Sequence, residues 1–392
     1  MRIIRWARIA LAISFGITVS VHAADGPVGF GLSYIGQQIV PGKTRFNGTT
    51  IGGLSSLDYN PVTGRYLAIS DDRSKTSPAR FYELSLDLSQ FQPSDAPGMK
   101  GVTFQAVITI QQPDGDAFKR NSVDPEGMRF DRVRNKIYWC DEGQRSISAF
   151  RNPVVREMNP DGSHSREFSV PPRYYPRGSN MGIFPGDKGI YNNLGFESLA
   201  ISIDGDTLYT ATENGLAQES PPATILTSSR ARILSFDIAS GKSGAEYIYQ
   251  VEPVPFIITS LGGFATNGLT GFVAIGDRQF ITIERAFSLG AVAPGGSTGF
   301  SVQLYYADAR GATDLSEIKS IVGQSIQPVT KTLLLDLSEV KNTDGSRLAV
   351  GNIEGITLGP RFNSKHTILL VADNNFSKNQ LTQFIALEIK QD

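Results

Sequence analysis

The sequence predicts an all-β fold, a single β-propeller of five blades, and three observations lead to it. The first is a pattern that recurs five times: GLSSLDYNPVTGRYLAISDD (53–72), PEGMRFDRVRNKIYWCDEG (125–143), GFESLAISIDGDTLYTATENG (195–215), GLTGFVAIGDRQFITIERA (268–286) and NIEGITLGPRFNSKHTILLVADNN (352–375). The second is the internal grammar of each copy. A small or acidic residue precedes an apolar run, a turn follows, and a second apolar run ends in Asp or Glu, which is the pattern of a β-hairpin. The third is that further strand-like runs follow the hairpins, at 81–88, 146–150, 232–238, 302–307 and 383–389, with a fourth at 102–110, 247–251 and 332–337. Four strands per repeat is the count of a propeller blade.

Taken in order, the repeats start near Ser56, Glu126, Glu197, Thr270 and Glu354. This spacing of about 70 to 84 residues belongs to one repeat architecture rather than to separate domains. The fifth copy shows three clear strands, and the N-terminal run 28–40 (VGFGLSYIGQQIV) is placed to supply its fourth. Pairing strands from the two chain ends would close the ring and remove a sheet edge. The longer stretches 240–269 and 311–352 leave room for a sixth, diverged blade.

The chain begins with Arg2, Arg5 and Arg8, an apolar run 9–21 and the small-residue sequence Val21-His22-Ala23. That is the pattern of a secretory signal peptide, here 1–23, with the propeller over 24–392. The expected location is therefore outside the cytoplasm, periplasmic or extracellular. Without those arginines the chain holds 34 basic and 38 acidic residues. That balance provides no basic surface for nucleic acid or a membrane face. No stretch after the N-terminal run is apolar enough to span a bilayer, and no feature fixes an oligomeric state. Cys140 is the only cysteine, in an apolar run, so an intramolecular disulfide is excluded and a buried thiol is expected. Only His164 and His366 lie beyond residue 23, which argues against a histidine-built zinc site.

Within a hairpin the two acidic positions lie 15 residues apart in one copy (Glu126 to Asp141) and 16 in another (Glu197 to Glu213). The second strand thus returns to where the first began, and a ring of copies gathers carboxylates at one mouth. The expected ligands of a metal there are Asp72, Glu126, Asp141, Glu142, Glu197, Glu213, Glu284, Glu354 and Asp373, with Asp71 and Asp124 beside them. Crowded carboxylates repel one another and need positive partners. Calcium, which takes six to eight oxygen ligands, suits such a set, and Asn214, Asn352, Asn374 and Asn375 can add amide oxygens. Arg73, Arg145 and Arg285 trail the acids and are the expected partners of an anionic ester substrate. The catalytic group expected is Glu126, Glu197 and Glu354 with those three arginines. Each acid also has a plainer reading, since strand ends favour Asp, Asn and Gly for turns and ion pairs. Three copies carry Glu before Gly or Ser while Ser56 and Thr270 replace it in the others. That asymmetry favours one specialised site.

The loops 173–194, 214–230 and 287–300 are long and leave or enter this mouth. The G-x-S-x-G match at 295–299 sits in a Gly/Pro loop with no helix after it, and S-x-x-K at 316–319 has no partners, so neither is read as a nucleophile motif. Trp139 falls in an apolar run and is expected in the core.

The strings GLSSLDYNPVTGRYLAISDDR, DPEGMRF…DEG, GFESLAIS…TENG, GLTGFVAIG…IERAF and NIEGITLG…LLVADNNF resemble the phytase-like esterase family, from Gly53 to the C-terminus. The resemblance implies a propeller-like fold and phosphodiesterase- or phytase-type ester hydrolysis. It maps the family's acidic pattern onto Asp72, Glu126, Asp141, Glu142, Glu197, Glu213, Glu284, Glu354 and Asp373. The chain departs from calcium-dependent propeller phytases in lacking their lysine-rich phosphate-binding segments, which sets phytate apart as substrate. The resulting expectation is an exported, calcium-dependent phosphate-ester hydrolase, with carboxyl-ester or lactone hydrolysis as a close variant. The competing expectation is a binding or scaffold propeller that calcium stiffens.

Overall fold

Five four-stranded antiparallel sheets make up the computed structural model, which describes residues 30–255, 264–289 and 299–391. The first blade is Leu54–Asn60, Arg65–Ser70, Arg80–Leu86 and Val102–Thr109. The second is Pro125–Asp131, Lys136–Asp141, Val154–Met158 and His164–Glu167; the third is Phe196–Ile201, Thr207–Thr212, Ser229–Asp237 and Ser243–Val251. The fourth is Ala265–Gly276, Gln279–Ser288, Phe300–Asp308 and Thr330–Asp336. Asn352–Phe362, Lys365–Asp373 and Thr382–Gln391 form the fifth, completed by Phe30–Val40 from the N-terminal side. That strand pairs antiparallel with the C-terminal one from Phe30↔Gln391 to Val40↔Thr382, so the ring closes as the sequence predicted. The described residues hold no sixth blade and no α-helix, hence none long and apolar enough to cross a membrane. The segment 1–23 lies outside the described residues, as do 295–298 of the G-x-S-x-G match.

The hairpins turn where the local chemistry allows it. Asp131 Oδ1 accepts the backbone N–H of Val133 and Arg134, and Asn135 adopts the left-handed conformation that reverses the chain. One expected strand is displaced: Gln144–Arg145 pairs with Phe150–Arg151 as a small ribbon, and Val154–Met158 is the third strand of the second blade. Val155 and Met158 bury fully there, whereas Ile147 of the expected run is 92% exposed. Apolar burial decided between the two runs.

Each blade is covered on both faces, and one hydrophobic cluster fills each of the five interfaces. Leu67, Ile69 and Phe81 of the first blade meet Met128, Ile137 and Trp139 of the second, for example. Tyr138 and Cys140 meet Phe196 and Leu199 across the next interface. Cys140 is the buried thiol expected, its sulfur accepting the Gly127 N–H at 3.1 Å, and burial pushes its pKa to about 12.

The first strand of every blade lies innermost and touches the first strands of its two neighbours around the whole ring. At Gly127, Gly271 and Gly355 the neighbouring backbone comes so close that a Cβ would overlap it. The axis itself is plugged by Arg129. Its Nη1 donates to the carbonyls of Leu57 (3.1 Å) and Met128 (2.8 Å), and its Nη2 to those of Phe272 and Ile356 (both 2.9 Å). One guanidinium therefore stitches four of the five blades. Asp58, at the matching position of the first blade, receives the Phe130 N–H and the Thr357 hydroxyl beside it.

Candidate functional site

Just before this axial layer, each innermost strand carries one extra residue. The pairing jumps from Leu54↔Ser70 to Ser56↔Ile69, from Phe196↔Thr212 to Ser198↔Ala211, from Leu269↔Glu284 to Gly271↔Ile283 and from Ile353↔Ala372 to Gly355↔Val371. The second blade shifts by the same one residue between Pro125 and Met128. The extra residues are Ser55, Thr270, Glu197 and Glu354, with Glu126 in the second blade. A β-bulge re-aims the side chain it carries. Five aligned bulges thus present Ser55, Glu126, Glu197, Thr270 and Glu354 to one mouth. The first-copy counterpart of the glutamates is Ser55, one residue before the Ser56 that the sequence suggested.

The same register settles the second strands. Ser70, Asp141, Thr212, Glu284 and Ala372 occupy equivalent places, so the next residues, Asp71, Glu142, Glu213, Arg285 and Asp373, form the second ring of the mouth. A slip of one residue turns a side chain to the opposite face, and this separates the expected ligands into two groups.

Asp72, Asp141 and Glu284 face away and are occupied by protein donors. Asp72 accepts N–H groups from Lys75 (2.8 Å), Thr76 (3.0 Å) and Ser77 (2.9 Å) and pairs with Arg80 at 2.7 Å. Burial works to raise its pKa, but these donors win and hold it low. Asp141 is shared by Arg151 (3.3 Å) and Arg156 (3.4 Å). Glu284 accepts Tyr249 Oη–H, the Glu252 N–H and Asn267 Nδ2–H at 2.9–3.0 Å, and pairs with Lys331. Arg145 also departs from its expected role. It is fully buried, donates to the carbonyls of Ile190 (2.8 Å), Arg177 (3.2 Å), Ser179 and Lys188, and so clamps the loop 173–194. Among the asparagines, Asn214 and Asn374 bind loop backbone at Ala223 and Phe376, while Asn352 and Asn375 line the cavity. Tyr174, Tyr175 and Arg177 of the long loop point elsewhere, and its end reaches the mouth through Asn192, Asn193 and Leu194.

What does converge is a cavity of about 490 Å³ lined by Asp71, Arg73, Glu126, Glu197, Glu213, Arg285, Asn352, Glu354 and Asp373. Asp124 and Glu142 lie buried behind Glu126, and oxygens of these three fall within 4.8 Å of one another. Eight carboxylates therefore share two guanidinium groups. Arg73 is held by Asp124 through Nε (2.7 Å) and Nη2 (2.7 Å), and donates to Asn193 Oδ1 at 2.8 Å. Arg285 stands between Glu213 (3.4 Å) and Glu354 (3.3 Å). Burial disfavours its charge, yet Glu213, Glu354 and Glu197 outweigh that and raise its pKa.

The acids themselves show the strain of crowding. Burial, followed by the charges of Glu197, Asp124, Asp71 and Glu354, holds the Glu126 carboxyl well above the usual range. Burial and Glu213, Glu142 and Glu354 do the same to Glu197. Asp124 and Asp373 are pushed up in the same way, burial first and acidic neighbours second. Burial is also the leading cause for Asp71, raised to about 6, and for Glu213 and Glu354, each raised to about 7 in spite of Arg285. Moreover, no donor is directed at the buried oxygens Asp71 Oδ1 and Asn352 Oδ1. Buried oxygens without donors, in an all-oxygen set with excess negative charge, fit a hard divalent cation. Asp124, Glu126 and Glu142 bring oxygens close enough together to be able to hold such an ion, with the flanking acids, Asp71 among them, able to widen the shell.

A pH dependence follows. In cation-free protein, Asp71, Glu213 and Glu354 bind protons more tightly folded than unfolded. Their contribution to stability is full below the unfolded pKa values near 4 and is lost as pH rises through about 6 to 7. We expect the melting temperature of chelator-treated protein to fall from pH 5 to pH 8, and added calcium to raise it more at pH 8 than at pH 5. A cation-free melting temperature that rises over that range would contradict the site as described.

Comparison with known proteins places this chain in a family. The family model for phytase-like proteins, described as esterase-like activity of phytase, matches residues 49–376, spanning all five repeats. The chain belongs to the phytase-like family. No curated protein matches this phytase-like chain. Among solved structures, one described as "Structure of Dos1 propeller" aligns with a TM-score of 0.34 and 7% identity, covering 86% of this chain and 68% of that one. That likeness is too distant to bear on the site.

Asp124, which the sequence placed beside the ligands, completes the three-carboxylate cluster. What the sequence did not announce is an aromatic wall of Phe264, Phe287 and Phe300 on one side of the cavity. These three lie on separate strands and loops with no periodic signal to join them.

Proposed function

We propose that this phytase-like propeller is an exported hydrolase of phosphate esters that works with calcium held at the carboxylate mouth. The observation that supports it most is the gathering of eight carboxylates and two arginines at one mouth, six of the carboxylates lining its cavity, in a member of a family described by esterase-like activity. Export through the segment 1–23 belongs to the same reading.

Calcium, when bound, would supply neutralising charge for the phosphoryl oxygens and Lewis acidity at the site. Asp124, Glu126 and Glu142 would hold it, and Arg73 keeps Asp124 and Asn193 in place. Arg285, fixed between Glu213 and Glu354, faces charge developing on the phosphoryl group. A water oxygen forms the new bond to phosphorus as the ester P–O bond breaks. Glu354, raised only to about 7 and paired with Arg285, takes the water's proton, and Glu197, held well above the usual carboxylate range, gives a proton to the departing oxygen.

The test is turnover of matched phosphomonoester, phosphodiester and carboxyl-ester probes by chelator-treated and calcium-loaded protein. Calcium-restored hydrolysis of phosphate esters is the expected result. Hydrolysis of the carboxyl ester alone would move the chemistry to acyl transfer. A calcium-dependent gain in melting temperature without turnover on any probe would instead establish a calcium-stiffened binding propeller.

A further inference from the structure

The cavity has two chemically different halves. The acids and arginines occupy its floor, whereas Phe264, Phe287, Phe300, Pro222 and Ala223 form the side between the third and fourth blades. The rings make a continuous stack: Phe264 and Phe287 have centroids 6.3 Å apart, and Phe287 and Phe300 4.8 Å, both tilted by 44°. Phe264 is 62% exposed although it lies beside a cavity that could have buried it. The apolar surface continues outward on the same lip. Ile225 (38%), Leu226 (84%) and Leu289 (61%) are exposed there. The lip is a knit unit, because Val254 N–H donates to Thr224 O and Leu289 N–H to Phe264 O, both at 2.9 Å.

From this juxtaposition we infer that the mouth takes an amphiphilic ester, its anionic group over the carboxylate floor and an apolar, aryl-sized arm against Phe264, Phe287 and Phe300. The inference deepens the hydrolase reading and rests on it for the nature of the anionic group. A substrate charged on every side would have to press anionic groups on the phenylalanine wall. Arg285, on the same strand as Phe287, is already paired with Glu213 and Glu354. Such placement leaves a charge desolvated and unmatched. An aromatic arm instead gains ring contacts in the tilted geometry that the wall already uses.

Two diesters with the same leaving group test this: methyl 4-nitrophenyl phosphate and 1-naphthyl 4-nitrophenyl phosphate, with calcium-loaded full-length protein. We expect kcat/KM to favour the naphthyl ester by about tenfold or more, and Phe264→Ala and Phe287→Ala to collapse that ratio to about threefold or less. Phe264→Trp should keep it. Calorimetric binding of 1-naphthylphosphonate and methylphosphonate supplies a readout independent of turnover. If neither ester is hydrolysed but the naphthyl phosphonate binds more tightly and Phe264→Ala removes the preference, the amphiphilic site stands and the hydrolase reading falls. Equal turnover and equal binding of the two members of each pair would overturn the inference. So would a naphthyl preference untouched by both alanine variants.

Discussion

Glu126→Gln and Glu197→Gln should each cut calcium-dependent turnover by about 100-fold or more, and at the same time make the cation-free protein more stable. The first effect follows from removing a group that holds the cation or gives a proton in the transition state, where single groups commonly contribute factors of about 10² to 10³. The second has the opposite sign for a physical reason. Both carboxyls are buried and pressed by acidic neighbours, so a neutral amide of the same shape relieves repulsion. Loss of activity with gain of stability is the mark of residues retained for function. Asp72→Asn is the control, because that carboxylate is fully satisfied by its own loop and by Arg80. It should lose stability and leave the calcium response of the melting temperature in place. Kinetics and thermal melts of the three variants, with and without calcium, check all of these signs. A Glu126→Gln variant that melts lower without calcium would mean that the carboxylate has a structural role.

Arg129→Met should cost about 3 to 5 kcal/mol of stability, the range for removing one member of a buried charged arrangement. Methionine fills much of the volume but takes the guanidinium donor from the carbonyls of Leu57, Phe272 and Ile356 and leaves Met128 O with only the Ser56 hydroxyl at 3.3 Å from a side chain. It also strips Asp58 of the positive charge that opposes its burial. The loss is concentrated at the axis, so it weakens the ring as a whole rather than one blade. Urea denaturation of the variant and parent would measure it. A change within about 0.5 kcal/mol, the range of an ordinary surface substitution, would show that the axial stitching adds nothing.

The ring was legible because propeller blades repeat, and five copies of one hairpin grammar state the count directly. Closure by the run 28–40 was legible too, since the fifth copy lacked one strand, and Phe30–Val40 supplies it. Glu126, Glu197 and Glu354 were found because they recur at one place in the pattern, and that place proves to be a β-bulge. The bulge itself leaves no trace in composition, and it decides which of two adjacent acids looks into the mouth. Asp71-Asp72 and Asp141-Glu142 are each a pair in sequence, yet only Asp71 and Glu142 fall on the inward register. Glu284 turns away from the mouth for the same reason, while Arg285, the next residue, lines it. Arg145 was read by its closeness to Glu142 in the chain, but its guanidinium satisfies four loop carbonyls that no local pattern announces. Arg129 hid inside an apolar strand. The phenylalanine wall is assembled by tertiary contact alone.

The most direct test of the account is calorimetric titration of calcium into chelator-treated protein and its Glu126→Gln variant, in two buffers of different ionisation enthalpy. Binding should be accompanied by proton release, because burial and acidic neighbours raise the Asp124 and Glu126 pKa values and a bound cation favours the ionised carboxylates. The variant should bind at least tenfold more weakly, a loss of about 1.4 kcal/mol or more. Binding without proton release, or equal affinity in the variant, would contradict a calcium site built on Asp124, Glu126 and Glu142.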